Sequence, residues 1–210
     1  MDRPHLIIFV PTDVERRLLR ESLISMQNML NFSYKIVETG CGKVNAAQYC
    51  ALETQSDCSA VVSCGFCGAT SEFGLGDVII PSKVIDYSLR SILKELRNTN
   101  RIPAPIVPLV SPKSSDGLIM YCGDHWIHSG NLDKVGIGTE PAAFDMESFA
   151  VAQVAMDQSI PTIVVKMVAD IVTDEFPEKR YELFSSSQIT FNPLVYGLID
   201  VVSNLNNFKS

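Results

Sequence analysis

The chain has 210 residues, 46% hydrophobic and 20% charged, which is the composition of a globular protein long enough to bury a substantial core. Its 24 acidic against 17 basic side chains leave a net charge of −7, which argues against nucleic acid or an anionic membrane surface as partner, since both select basic patches. No apolar run reaches membrane-span length, and five apolar residues after Met1-Asp2-Arg3-Pro4-His5 are too few for a signal peptide, so a cytoplasmic location is expected.

Leu6 to Val10 is an unbroken apolar run, as in a strand covered on both faces. Pro11-Thr12-Asp13 punctuates it. A helix is expected next, with Leu18, Leu19 and Leu23 on one face and Glu15, Arg16 and Arg17 near its start. A second strand is predicted over Phe32 to Glu38, then a tight turn at Gly40-Cys41-Gly42 and a helix over Val44 to Thr54. Ala60 to Cys64 reads as a third buried strand running into a glycine-punctuated loop, Gly65-Phe66-Cys67-Gly68, and Asp77 to Pro81 begins another. Pro103, Pro105, Pro108 and Pro112 predict loop between Leu89 and Ser115, with a short helix near 89–97.

Ser114 to Cys122 and Val135 to Gly138 are strand-like. Asp145 is expected to open a helix that continues to Met156, and a buried strand then ends at Asp170. A last helix is predicted from Pro177 to Asn206, broken at Pro193. Strands alternating with helices predict one α/β domain over 1–210, a mixed, mostly parallel central sheet with helices on both faces.

Several local patterns resemble sites. Gly40-Cys41-Gly42-Lys43-Val44 lacks the hydroxyl residue and the preceding glycine of a phosphate loop, so it reads as a strand-to-helix turn. Cys64-Gly65-Phe66-Cys67 has redox spacing, but glycines rather than a helix start surround it. With no export signal, the six cysteines (41, 50, 58, 64, 67 and 122) read as reduced, buried thiols. Asp124, His125 and His128 near Cys122 are metal-ligand types without a distant partner. Trp126, the sole tryptophan, follows a strand end, where it could stack on a flat ring or fill the core.

The carboxylates are the stronger signal. Ligands of open α/β sheets bind at strand C-terminal ends, where Asp170 is expected, while Asp145 also suits a helix cap. Asp170 follows ten residues broken only by Thr162 and Lys166, and a buried carboxyl there needs partners. Counting in twos puts Lys166 on the same strand face as Asp170.

Read in order, these segments resemble the purine nucleoside phosphorylase superfamily, on its nucleosidase branch: Val10 to Leu19, Thr39 to Ala47, Val61 to Ala69, Gly74 to Pro81, Tyr121 to Ile127, Asp145-Met146-Glu147 and Val168-Ala169-Asp170. The nearest types are 5′-methylthioadenosine/S-adenosylhomocysteine nucleosidase and futalosine hydrolase. The resemblance implies a single nucleosidase domain that cleaves the N-glycosidic bond of a 5′-modified purine nucleoside, as a homodimer, without metal or organic cofactor. By position it implies Asp170 as the acid that protonates the purine and Glu15 as the base that activates water. It implies Met146 and Glu147 at the ribose, and Trp126 and Phe66 in the substrate site.

Departures from the family refine this expectation. Phosphorylases place an arginine and a hydroxyl residue where this chain has Ser63 and Phe66, which favours water over phosphate. Lys179-Arg180-Tyr181 stands near the position where methylthio-specific relatives have an apolar aromatic. Arg180 is therefore expected to bind a 5′ carboxylate, as in futalosine or 6-amino-6-deoxyfutalosine, a menaquinone precursor, and Arg97 and Arg101 could reach the same end. The rivals are a methylthioadenosine/S-adenosylhomocysteine nucleosidase, a phosphate-dependent phosphorylase and a non-catalytic nucleoside-binding module.

Overall fold

The computed structural model describes residues 3–54, 58–88, 106–112, 117–125, 141–172 and 189–203, together with Ser115, Ile127, Leu132 and Leu205. Among these, nine strands form one mixed sheet. Strands β1 (His5–Val10), β2 (Ser33–Glu38), β3 (Ala60–Ala69) and β9 (Thr162–Ile171) pair in parallel, in the order β2-β1-β3-β9. A second parallel set joins β5 (Lys83–Asp86), β7 (Ile119–Cys122) and β8 (Ala142–Asp145). The two sets meet where β8 runs antiparallel to the end of β3, Gly68 opposite Phe144. Two short antiparallel strands flank them: β4 (Val78–Ile79) on β9 and β6 (Ile106–Pro108) on β5.

The alternation of side chains along β1 explains its unbroken apolar run. Leu6, Ile8 and Val10 pack with Leu19 and Leu23 of α1 (Asp13–Ser25) and with Leu194, Val195 and Leu198 of α4 (Asn192–Ser203). Ile7 and Phe9 face the other way, onto Ala46 and Cys50 of α2 (Lys43–Glu53) and Ala150, Val151 and Ala155 of α3 (Ser148–Asp157). Helices thus cover both faces of the sheet, as expected. Each buried aliphatic side chain contributes about 1.5–3 kcal/mol, so these two layers carry most of the fold's stability.

Some sequence expectations fail for identifiable reasons. The glycine-punctuated segment 65–68 is strand rather than loop, because both its flanking strands pair through it. Strands β5 and β6 were not expected; β6 lies where four prolines predict loop, at a sheet edge that tolerates proline. Asp145 ends β8 instead of opening a helix, and α3 begins at Ser148. Pro193 does not break the last helix: it stands in the first turn of α4, where a missing N–H costs nothing. The last helix begins only at Asn192, since 189–191 are described and not helical. The expected strand over 135–138, the helix over 89–97 and the 177–188 part of the last helix lie outside the described residues.

A bulge corrects the facing of Lys166 and Asp170. Cys67 pairs with Val168 and Gly68 with Asp170, so Ala169 has no opposite residue. Val164 and Val168 pack in one cluster, and beyond the bulge it is Ile171 that joins them. The parity has switched, and Asp170 no longer shares the face of Lys166.

Candidate active site

The opposed polarity of the two parallel sets creates the site. The C-terminal end of β1 reaches the level of Ser63 on β3, and β8 runs back toward the middle of β3 from the other side. The chain leaving β1 carries Glu15, and the chain leaving β8 carries Met146 and Glu147. Gly65 to Gly68 lies between them, with Lys166 and Asp170 on the adjacent β9.

Glu15 is 4% exposed, in the first turn of α1. Thr12 caps this helix by accepting from the Glu15 N–H, a pattern legible in the sequence as Thr-x-x-Glu. The carboxylate, however, turns across to the sheet. Oε1 accepts from the Phe66 N–H at 2.8 Å, and Oε2 accepts from the Thr12 hydroxyl at 2.5 Å. Gly65 has φ +142°, and any Cβ there would collide with Glu15 Oε1. Burial pushes the Glu15 pKa up, against these hydrogen bonds and the nearby Lys166 charge.

Lys166 is fully buried in mid-strand. Its Nζ lies 3.0 Å from Asp145 Oδ2, a charge contact without hydrogen-bond geometry. Burial opposes the ammonium, but Asp145, Glu147 and Glu15 outweigh it and hold its pKa above that of an ordinary lysine. The sequence marked Lys166 as an isolated charge in an apolar strand; its partner is Asp145, from β8, rather than Asp170. Asp145 also accepts from the Ser148 N–H (3.1 Å) and hydroxyl (2.7 Å), so it bonds the first residue of α3 from the end of β8 although the cap position itself is Glu147.

Glu147 caps α3 by position but makes no side-chain cap bond. Its Oε1 instead accepts from the Gly42 N–H at 2.7 Å. Gly42, at φ +91°, adopts a conformation that side chains rarely allow, and the Gly40–Gly42 turn thereby aims a donor at the carboxylate. Burial raises the Glu147 pKa to about 7, with Asp145 and Glu15 adding and Lys166 opposing. Glu15 and Glu147 are thus brought together around one buried cation.

Asp170 is 4% exposed, and its Oδ2 would touch a Cβ on Gly68 at 3.6 Å. It lies one strand from the β3–β8 joint, opposite Gly68. Met146 is half-buried beside Glu147. Phe66 gives its N–H to Glu15, while its ring packs edge-on against Phe191, centroids 4.9 Å apart. Trp126 and Arg180 lie outside the described residues, as do Arg97, Arg101, Lys179, Tyr181 and His128.

The motifs set aside above also have structural accounts. Cys64 and Cys67 pack in different clusters on opposite strand faces, and burial pushes the Cys64 thiol to about 12 and Cys67 up as well. Cys50 and Cys122 are buried too, whereas Cys41 is exposed, contrary to expectation. Lys43 pairs with Asp86 at 2.7 Å and with Asp124 at 3.0 Å.

Residues 33–191 match the family model described as the phosphorylase superfamily. No curated protein matches the chain. Among solved structures, an S-adenosylhomocysteine nucleosidase from Streptococcus pyogenes is similar at TM-score 0.73 and 17% identity, covering 98% of both chains. A 5′-methylthioadenosine/S-adenosylhomocysteine nucleosidase from S. pneumoniae gives 0.69 and 18%, covering 96% of this chain and 99% of that one. A futalosine hydrolase mutant from Helicobacter pylori gives 0.69 and 12%, covering 98% and 99%. Likeness at such identity establishes a shared fold.

Proposed function

The chain belongs to the phosphorylase superfamily, and on that premise we propose that it hydrolyses the N-glycosidic bond of a 5′-modified purine nucleoside and releases the free base. The observation that carries this reading is the pairing of two buried carboxylates, Glu15 and Glu147, around Lys166, with Asp170 on the same strand as the lysine. Breaking C1′–N9 builds positive charge on the sugar and negative charge on the purine. Asp170 gives a proton to the departing base. Water adds to C1′ and loses its proton to Glu15, whose raised pKa suits a base working nearer neutrality. Glu147 accepts ribose hydroxyls beside Met146 and stabilises the cationic sugar.

Water is favoured over phosphate. Ser63 is buried within β3, and Phe66 packs its ring against Phe191, so neither offers charge to an anion. The test is turnover in phosphate-free buffer with identification of the sugar. Formation of ribose 1-phosphate, with no reaction when phosphate is removed, would establish a phosphorylase instead. Ligand retained stoichiometrically without release of base would establish a binding module.

Within this class the proposed substrate is futalosine or 6-amino-6-deoxyfutalosine, on the strength of Arg180 in the sequence. The competing substrate is methylthioadenosine or S-adenosylhomocysteine, named in the descriptions of the structural neighbours. Comparison of kcat/KM decides: a preference for methylthioadenosine of about tenfold, or 1.4 kcal/mol, removes the carboxylate assignment. A homodimer is the proposed assembly. Exposed Val44, Tyr49 and Leu52 on α2 support it, and sedimentation tests it. Among the described residues, no helix is long and apolar enough to cross a membrane.

A further inference from the structure

The turn that serves Glu147 is hinged on two glycines. Gly40 and Gly42 stand at φ +80° and +91°, and Cys41 between them is exposed. Thr39 ties the start of the turn to β1, its N–H donating to the Val10 carbonyl at 2.9 Å. Asn45 Nδ2 donates to the Cys41 carbonyl at 2.9 Å, a bond made in solvent. At the end of the turn, Gly42 caps α2 and has no side chain with which to fix itself.

The next residue supplies that hold. Lys43 Nζ donates to Asp86 Oδ2 at 2.7 Å and lies 3.0 Å from Asp124 Oδ2. The Asp86 side chain is 3% exposed at the end of β5, whereas Asp124 is 55% exposed. A solvated carboxylate is screened, so Asp86 is the effective anchor. The bond ties the first residue of α2 to a strand of the second parallel set. With Lys43 fixed there, Gly42 keeps its N–H on Glu147 Oε1 at 2.7 Å, a charge-assisted bond sensitive to small displacements.

We propose that Lys43 and Asp86 are positioning residues for Glu147: their ion pair fixes the Gly40–Gly42 turn and so holds the Gly42 N–H on the carboxylate. The inference deepens the reading of Glu147 as the ribose carboxylate and rests on it for its effect on substrate. It assigns to Lys43 and Asp86 a share of ribose recognition although neither touches the sugar.

The decisive variant is the double one, Lys43→Met with Asp86→Asn. It removes one charge of each sign, leaves no stranded buried carboxylate and frees the turn. Lys43→Arg is the conservative control. The groups acting on Glu147 are Asp145 of β8, Lys166 of β9, Glu15 of α1 and the thiols of Cys41 and Cys122. All of these stay in place, so a change at Glu147 reports the Gly42 donor. Two quantities are measured. One is the titration midpoint of Glu147 in the free protein, followed by its carboxyl ¹³C shift and assigned by its loss in Glu147→Gln. The other is the kcat/KM preference for a riboside over its 2′-deoxyriboside. The Gly42 bond lowers the Glu147 pKa, which stands at about 7. Its loss should therefore raise the midpoint by about one pH unit and cut the riboside preference about tenfold, with Lys43→Arg close to wild type. In a Glu147→Gln background the same double change should alter kcat/KM less than about twofold. If melting temperature falls while the midpoint stays within about 0.3 pH units and the preference within about twofold, the pair is merely structural and the inference is overturned. If the midpoint moves as expected but the wild type does not distinguish the two sugars, or cleaves no purine nucleoside, the positioning stands and the proposed function is what has failed.

Discussion

The carboxylate of Glu15 stands in the space that any side chain at Gly65 would need. The acid is buried at the start of one helix, and the glycine lies within the strand beside it. Together they let Glu15 reach the Phe66 N–H. Gly65→Ala should therefore displace Glu15 and impose an unfavourable positive φ. With Glu15 as the proposed base, its loss should cost roughly 10²–10⁴-fold in rate, and Gly65→Ala should approach the deficit of Glu15→Gln. The double variant should be no slower than either single one. If the double variant loses the two effects multiplicatively, Gly65 acts independently of Glu15.

The Glu147 pKa, raised from 4.5 to about 7 mainly by burial, has opposite consequences for activity and stability. In the proposed role the ionised form accepts ribose hydroxyls, so kcat/KM should fall as pH drops through about 7. The folded protein holds the proton better than the unfolded chain does. That stabilising contribution is complete below 4.5 and is lost as pH rises through about 7. Glu147→Gln should remove the acid limb near 7 and flatten the decline of stability toward alkaline pH. A limb that persists unchanged in the glutamine variant belongs to another group.

The layers of the fold were legible because β1, β3 and β9 are apolar runs whose two faces are both covered. The short strands β5 and β6 were hidden, since a few residues carry little periodicity and prolines mask the edge. Asp170 stood out as a carboxylate ending an apolar run, whereas the roles given to Glu15 and Glu147 came from the ordered resemblance. The partner of Lys166 could not be read: the bulge at Ala169 switches the side-chain parity, and Asp145 arrives from a strand that is distant in sequence. Gly42 and Gly65 read as turn glycines, and their service to the carboxylates appears only in three dimensions.

Asp170→Asn should fold normally and lose most of its rate, because the amide is nearly isosteric but has no acidic proton to give. The expected loss is about 10²–10⁴-fold in kcat. A substrate whose leaving base is intrinsically more acidic should be less affected, since it departs with less help. Uniform loss across leaving groups would assign Asp170 to binding instead.

Lys166 is the buried cation facing Asp145, Glu147 and Glu15, and its removal should be costly in two separable ways. Breaking one side of a buried ion pair typically costs about 3–5 kcal/mol, so Lys166→Met should lower the melting temperature substantially. The same charge opposes the rise in pKa of both Glu15 and Glu147. Without it both carboxyls protonate more readily, and the acid limb of kcat/KM should move above about 7, with activity recovering at higher pH. Adding Asp145→Asn neutralises the stranded partner while keeping an oxygen for Ser148. The double variant should therefore regain part of the stability, but the limb should stay displaced because Glu15 and Glu147 still lack their cation. A double variant with a wild-type pH profile would confine Lys166 to holding β8 against β9.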